Sequence, residues 1–325
     1  MSKVIISGGA GFIGSHVCEV IYKNFNISKM IIIDKLTYAG NLVYIKELLK
    51  NKNVEFIHDD ILNIYKYKKK FLSFDISINL AAESHVDNSF TKSLLFTKTN
   101  TLGAHTFLHC SIENNVKKIV HVSTDEVYGQ KLSGLNYEDD DLNPTNPYSA
   151  SKAAAEIIIN SYRHFNPRKI LIVRGNNIYG VNQNVEKLIP ACISSLLKNK
   201  KIQINGDGEH SRCFLSAWDF SEAIVMLLKK NMSGIYNIGN NKEYKNIHIA
   251  KTICKLMNKN PDKNIVFIKD RLFNDKRYAI SLKKIYKLGW KPKRKLLADL
   301  PDIIEWYKNN IHLFNAKKKF RINKF

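Results

Sequence analysis

The sequence predicts an α/β protein: a doubly wound parallel sheet with a smaller, discontinuous lobe in its C-terminal part. Three observations carry this. Short apolar, β-branched runs alternate with stretches long enough for a crossover helix. A glycine-rich turn stands between the first run and the first helical pattern. After about Gly180 the rhythm shifts to helices separated by a few short strands.

Taken in order, residues 4–7 form the first strand, residues 15–23 a helix, and residues 30–33 a second strand closed by Asp34. Further strands are expected at 54–57, 76–80, 118–122 and 169–173. Open parallel sheets bind ligands beyond the carboxyl ends of their strands, and polar clusters fall there: after Ser7, Ile33, Leu80, Val122 and Val173. Later helices are expected at 186–198 and 218–229, with strands at 201–205 and 235–238. The expected division is a Rossmann-type domain over 1–180, a binding lobe mostly over 181–312 and interleaved with the first, and a basic tail over 313–325.

Composition narrows the function classes. With 44% hydrophobic and 25% charged residues, the chain is neither disordered nor membrane-spanning. It shows neither a signal-peptide pattern nor an apolar run of about 18 residues, so a cytoplasmic protein without a membrane partner is expected. The cysteines Cys18, Cys110, Cys192, Cys213 and Cys254 are widely spaced without a C-x-x-C pair, which predicts buried thiols and no metal site. Lys and Arg number 51 against 29 Asp and Glu. The lysines are spread through the chain, for example at 68–70, 198–201 and 317–319, and read as solvated faces, not a nucleic-acid groove.

The chemistry lies in three motifs. Gly8-Gly9-Ala10-Gly11-Phe12-Ile13-Gly14 has the spacing that lets a pyrophosphate approach the backbone at a helix N-terminus. Asp34, 20 residues beyond Gly14, is placed to accept from ribose hydroxyls and to repel a 2′-phosphate, so NAD is favoured over NADP. Asp60 and Ile61 are candidates for the adenine end, although Asp60 reads nearly as well as a turn residue. The second motif is Tyr148-Ser149-Ala150-Ser151-Lys152 on a helix entered through Pro147. One turn apart, Lys152 can favour the phenolate of Tyr148, whose ordinary pKa of about 10 is too high for a base. The third is Ser123-Thr124-Asp125-Glu126-Val127-Tyr128-Gly129, two adjacent acids at a strand end; alone they would read as helix caps.

Together these motifs resemble the extended short-chain dehydrogenase/reductases and, within them, the nucleotide-sugar 4,6-dehydratases, which carry Thr-Asp-Glu where epimerases of the superfamily usually lack the acid pair. Matching segments include residues 34–41, 81–87, 147–152, 186–190, 269–271 and 275–278, and the likeness runs to about residue 308.

The resemblance implies oxidation at the sugar C4, loss of water between C5 and C6, and hydride return to C6, with tightly bound NAD regenerated each turnover. Catalysis would rest on Thr124, Asp125, Glu126, Tyr148 and Lys152. The cofactor would be held by Gly8, Gly11, Phe12, Ile13, Gly14, Asp34, Lys35, Thr37, Asp60, Ile61, Leu80, Ala81, Ala82, Thr99, Ser123, Tyr148 and Lys152. The substrate would be held by Ser84, Val86, Thr124, Asn177, Lys187, Arg212, Asn246 and Arg271.

Asn88, the run 174–180, Asn205 and the run 271–275 depart from the bacterial dTDP-glucose pattern and look like the dehydratase domain of plant rhamnose synthases. UDP-glucose is therefore the expected substrate, with dTDP-glucose as the alternative. A UDP-sugar 4-epimerase and an idle NAD-binding scaffold contacting nucleic acid are the remaining rivals. A homodimer through residues 94–114 and 148–165 is implied by the resemblance, and later steps of a rhamnose route would fall to another protein.

Overall fold

The computed structural model describes residues 1–166, 169–270 and 275–314. The first half runs β1 (Ser2–Ser7), α1 (Phe12–Asn24), β2 (Ile27–Asp34), β3 (Val54–His58), β4 (Ile76–Asn79), α2 (Val86–Thr91), α3 (Ser93–Phe96), α4 (Ala104–Glu113), β5 (Lys118–Thr124), α5 (Pro147–Tyr162) and β6 (Lys169–Gly175). The second runs β7 (Asn177–Tyr179), α6 (Leu188–Leu197), β8 (Ile202–Asn205), β9 (Ser211–Ser216), α7 (Ala217–Lys229), β10 (Gly234–Ile238), β11 (Glu243–Lys245), α8 (Asn246–Leu256), α9 (Pro261–Asn264), β12 (Ile265–Ile268), α10 (Lys283–Tyr286) and α11 (Leu296–Asn310).

Seven strands form one parallel sheet in the order β10-β6-β5-β4-β1-β2-β3. The order reverses at β1, so the ends of β1 and β4 open the crevice in which such sheets bind ligands. Alternation in β1 sends Val4 and Ile6 to a core shared with α1 and α7, and Ile5 to the opposite core shared with α4 and α5. Both faces are covered, which is why the central strands read as near-continuous apolar runs.

One element differs from its expected place. Residues 235–238, read into the smaller lobe, form the edge of the main sheet, with Tyr236 opposite Val173 in parallel register. α7 packs against α1 on the same layer. Periodicity identifies a strand but does not say which sheet it joins.

The smaller lobe has its own core, built from Ile189 and Ile193 of α6, Phe214 of β9, Ile249 and Ile253 of α8, and Leu300 and Tyr307 of α11. All five cysteines are buried free thiols.

An ion pair lies where β5, α5 and β6 meet. Arg174 donates to Glu156 through Nε and Nη2 at 2.9 and 2.7 Å and through Nη1 to the Tyr128 hydroxyl at 2.5 Å, with its guanidinium 4.5 Å from the Tyr128 ring centre. Both charged side chains are almost fully buried. Removing one partner of such a pair strands the other charge. Glu156→Ala is therefore expected to cost about 3–5 kcal/mol of unfolding free energy, read from denaturant midpoints. A loss under about 1 kcal/mol would show that Arg174 recovers its solvation elsewhere.

Candidate active site

A single cleft of about 990 Å³ runs from the glycine turn across the carboxyl ends of the strands into the smaller lobe. Its dinucleotide end is built by close backbone approach. Gly8 adopts φ +73°, and a methyl there would stand 2.5 Å from the Ala81 nitrogen; at Gly14 it would stand 2.0 Å from the Gly8 carbonyl. Only glycine leaves this wall thin enough for a phosphate to reach the α1 N-terminus. α1 begins without an acidic residue in its first turn, so nothing there opposes an anion.

Asp34 lies at the end of β2, accepting from the Ala10 and Leu36 amides at 3.0 and 2.8 Å. Burial pushes its carboxyl pKa up while those amides hold it down. Lys35 pairs with Asp60 at 2.7 Å, and Asp60 also caps the 3₁₀ segment Ile61–Phe71 through the Leu62 amide. The turn role considered for Asp60 is thus present together with its place on the cleft wall. Gly11, Phe12, Ile13, Thr37, Ile61, Leu80, Ala81, Ala82, Thr99 and Ser123 line the same end.

The middle of the cleft gathers Thr124, Glu126, Tyr148 and Lys152, whereas Asp125 is buried behind its wall. β5 ends in Thr124, whose hydroxyl caps the Asp125–Tyr128 turn by accepting from the Glu126 amide at 3.3 Å. α5 starts in a capping box between Asn146 and Ser149 with Pro147 in its first turn, which fixes Tyr148 and Lys152 on the cleft side. Asn146 also donates from Nδ2 to Glu126 Oε2 at 3.4 Å, so one residue starts the helix and holds an acid.

Electrostatics separate these groups. Asp125 is 3% exposed, and burial, aided by the Glu126 charge, pushes its pKa up to about 7. Glu126 is also raised by burial, against the pull of Lys187 and Arg212. Burial raises the Tyr148 phenol, with the Glu126 charge adding to it and a Thr124 hydrogen bond opposing it. Burial pushes Lys152 down to about 8 while Glu156 opposes the shift, and its Nζ donates to the Val122 carbonyl at 2.6 Å.

At the far end Lys187 donates to the Ser84 carbonyl at 2.8 Å, joining the loop after β4 to the start of α6. Arg212 donates to the Asp275 carbonyl at 2.7 Å and sits 4.8 Å from the Tyr278 ring centre. Ser84, Val86, Asn177 and Asn246 line the cleft, whereas Arg271 lies outside the described residues.

The sequence reading passed over Asn146, Asn176, Asp275 and Tyr278, all of which line the cleft. Asn146 was legible as a helix cap; the other three lie in runs compared with the family (174–180 and 275–278) without a site role of their own. Among the described residues no group of three or more His, Cys, Asp or Glu stands together to hold a metal, and no helix is long and apolar enough to cross a membrane.

Comparison with known proteins agrees with this geometry. A family model described as GDP-mannose 4,6 dehydratase matches residues 5–300. The chain belongs to this family. It is 39% identical over 95% of its length to a trifunctional UDP-glucose 4,6-dehydratase, 3,5-epimerase and reductase of Arabidopsis thaliana, of which it spans about half (47%). It is 38% identical to the human dTDP-D-glucose 4,6-dehydratase over 98% of this chain and 93% of that one. A dTDP-glucose 4,6-dehydratase of Streptomyces venezuelae, crystallised with NAD, superposes with TM-score 0.93 at 32% identity, covering 96% of this chain and 99% of the other. A UDP-glucose 4-epimerase of Thermotoga maritima shares the fold at TM-score 0.87 and 25% identity, covering 95% and 99%.

The buried acid leaves a signature in stability. Folded Asp125 keeps its proton up to about pH 7, while the unfolded carboxyl releases it near pH 4, so its contribution to stability is full below pH 4 and is lost as pH rises towards 7. The thermal midpoint of Asp125→Asn relative to the unaltered protein is expected to rise between pH 4 and pH 8. A constant difference would place Asp125 in water.

Proposed function

We propose that the protein is a UDP-glucose 4,6-dehydratase that forms UDP-4-keto-6-deoxyglucose. The observation that carries this is Glu126 lining one cleft with Thr124, Tyr148 and Lys152, while Asp125 is buried just behind that wall against Thr124 and Asn176, so the two carboxyls stand in unlike surroundings. The glycine cradle and Asp34 fit NAD, which when bound takes hydride from C4 and delivers it to C6.

The side chains move the protons. Tyr148 Oη takes the proton of the 4-hydroxyl, which Thr124 Oγ1 orients, and the Lys152 ammonium favours the phenolate. Once C4 is a ketone, the C5 hydrogen is acidic, and the Glu126 carboxylate removes it. The C5–H electron pair becomes the C5–C6 double bond as the C6–O bond breaks. The departing oxygen takes the Asp125 proton and leaves as water, and Glu126 returns its proton to C5. Asn177, Lys187, Arg212, Asn246 and Arg271 are the donors proposed for the nucleoside diphosphate.

UDP is favoured over dTDP by Asn88, Asn205 and the runs 174–180 and 271–275, and by the likeness to the plant enzyme. The likeness to the human enzyme supports dTDP-glucose as the alternative. A 4-epimerase needs no acid to expel water, so the buried, proton-holding Asp125 argues against it.

The first test is to incubate the protein separately with UDP-glucose and dTDP-glucose, without added NAD, and look by mass spectrometry for loss of one water. Preferential loss from UDP-glucose is expected; preference for dTDP-glucose would overturn the nucleotide assignment and keep the chemistry. Loss from neither, even with NAD added, would overturn the dehydratase assignment. Because the acid works protonated, kcat is expected to fall as pH rises above about 7. Tyr148→Phe and Glu126→Gln are expected to lower kcat by on the order of 10²–10⁴ each.

The same chain is proposed to pair with a second copy. Leu94, Leu102 and Ile157 are exposed on the neighbouring segments 93–103 and α5, where a partner would cover them. Ile157→Glu is expected to halve the mass measured by light scattering; an unchanged mass would remove this face from any interface.

A further inference from the structure

Asn176, which follows β6, is 5% exposed and touches Asp125: its Nδ2 donates to Asp125 Oδ2 at 3.1 Å. The other end of its amide accepts from the Asn240 backbone amide at 2.6 Å. A backbone N–H is a donor only, so the Asn176 oxygen must face Asn240 and the NH₂ must face Asp125. Turning the amide over would set donor against donor at one end and oxygen against oxygen at the other. The fit around the amide is tight: a methyl at Gly239 would stand 1.8 Å from Asn176 Oδ1.

We infer that Asn176 is a positioning residue that decides which oxygen of Asp125 carries the transferable proton. Both carboxyl oxygens receive a donor, but the Asn176 amide at Oδ2 cannot turn whereas the Thr124 hydroxyl at Oδ1 can, so Oδ2 is the oxygen kept bare. The proton is left on Oδ1, to which the Thr124 hydroxyl donates at 3.4 Å and from which, once turned, it can accept; Thr124 is also the group proposed to hold the sugar. This rests on the dehydratase assignment: as the C6–O bond breaks, the Oδ1 proton passes to the leaving oxygen, and the carboxylate that remains is stabilised at Oδ2 by Asn176. Asp125 is also faced by Glu126, Tyr148, Cys213 and Arg212, and of its neighbours Glu126 raises its pKa while Asn176, Arg212 and the Thr124 hydroxyl lower it.

The test compares two substrates in two variants. Asn176→Ala removes the donor. Asn176→Asp keeps the shape and the bond to Asn240 but places a second carboxyl against Oδ2, drawing the proton to the wrong side. Each enzyme is given the nucleotide-glucose it turns over and the matching 6-deoxy-6-fluoro sugar, whose fluoride leaves without a proton.

With the hydroxyl substrate, kcat is expected to fall by on the order of tenfold in Asn176→Ala and further in Asn176→Asp, with KM little changed. Lost stabilisation of the carboxylate raises the Asp125 pKa, so the decline of kcat at high pH moves upward by about one pH unit. With the fluoro sugar both variants are expected to match the unaltered enzyme within about twofold. Equal losses on both substrates, or an unmoved pH profile, would overturn the inference and leave Asn176 a packing residue. Absence of water loss in the unaltered enzyme would overturn the dehydratase assignment and this inference with it; water loss with no effect of either variant would overturn this inference alone.

Discussion

The active end of the sheet depends on the burial of Arg174 against Glu156. β6 supplies the guanidinium and α5 the carboxylate, and the Tyr128 hydroxyl and Glu138 carbonyl take the remaining bonds of one arm. Two charges taken out of water repay the cost only with tight geometry, and this pair ties α5 to β6 and, through Tyr128, to the turn after β5. Lys152 lies one turn before Glu156 on α5, and the Glu156 charge tempers the fall in its pKa. The ion pair and the Tyr148–Lys152 pair thus share one helix, so a shift of α5 would move Tyr148 and Lys152 in the cleft.

Burial has opposite uses on the two sides of this helix. Behind it, charge is neutralised by charge. In front of it, Glu126 lines the cleft with Asp125 buried beside it, and burial raises both carboxyls, Asp125 up to about 7. Two acids adjacent in sequence acquire different surroundings: Asp125 is enclosed, with Asn176 at one oxygen, while Glu126 keeps surface toward the cleft and meets Asn146. The acid pair is local; the difference between its members is not.

The cleft is assembled from distant chain. Lys187 meets the loop at Ser84, and Arg212 is held by the backbone of Asp275 and Lys276. Asn176 is oriented by Asn240, beyond the strand that completes the main sheet. Lys187 and Arg212 of the smaller lobe and Thr124, Glu126, Tyr148 and Lys152 at the strand ends thus line one cleft.

By itself the sequence determined the parallel α/β class, the glycine turn with Asp34, the Tyr148–Lys152 helix and the acid pair, because these are short-range patterns: alternation along a strand, spacing along a helix, glycine where no side chain fits. Asp60 shows the limit of such patterns, since its capping bond and its place on the cleft wall are compatible. Only the tertiary structure decided that residues 234–238 close the main sheet, that Asn176, Asp275 and Tyr278 join the site, and that Asp125 sits dry enough to hold a proton. Strand partners, desolvation and hydrogen bonds across dozens of residues are set by how the elements pack, and packing leaves no spacing in the chain to read.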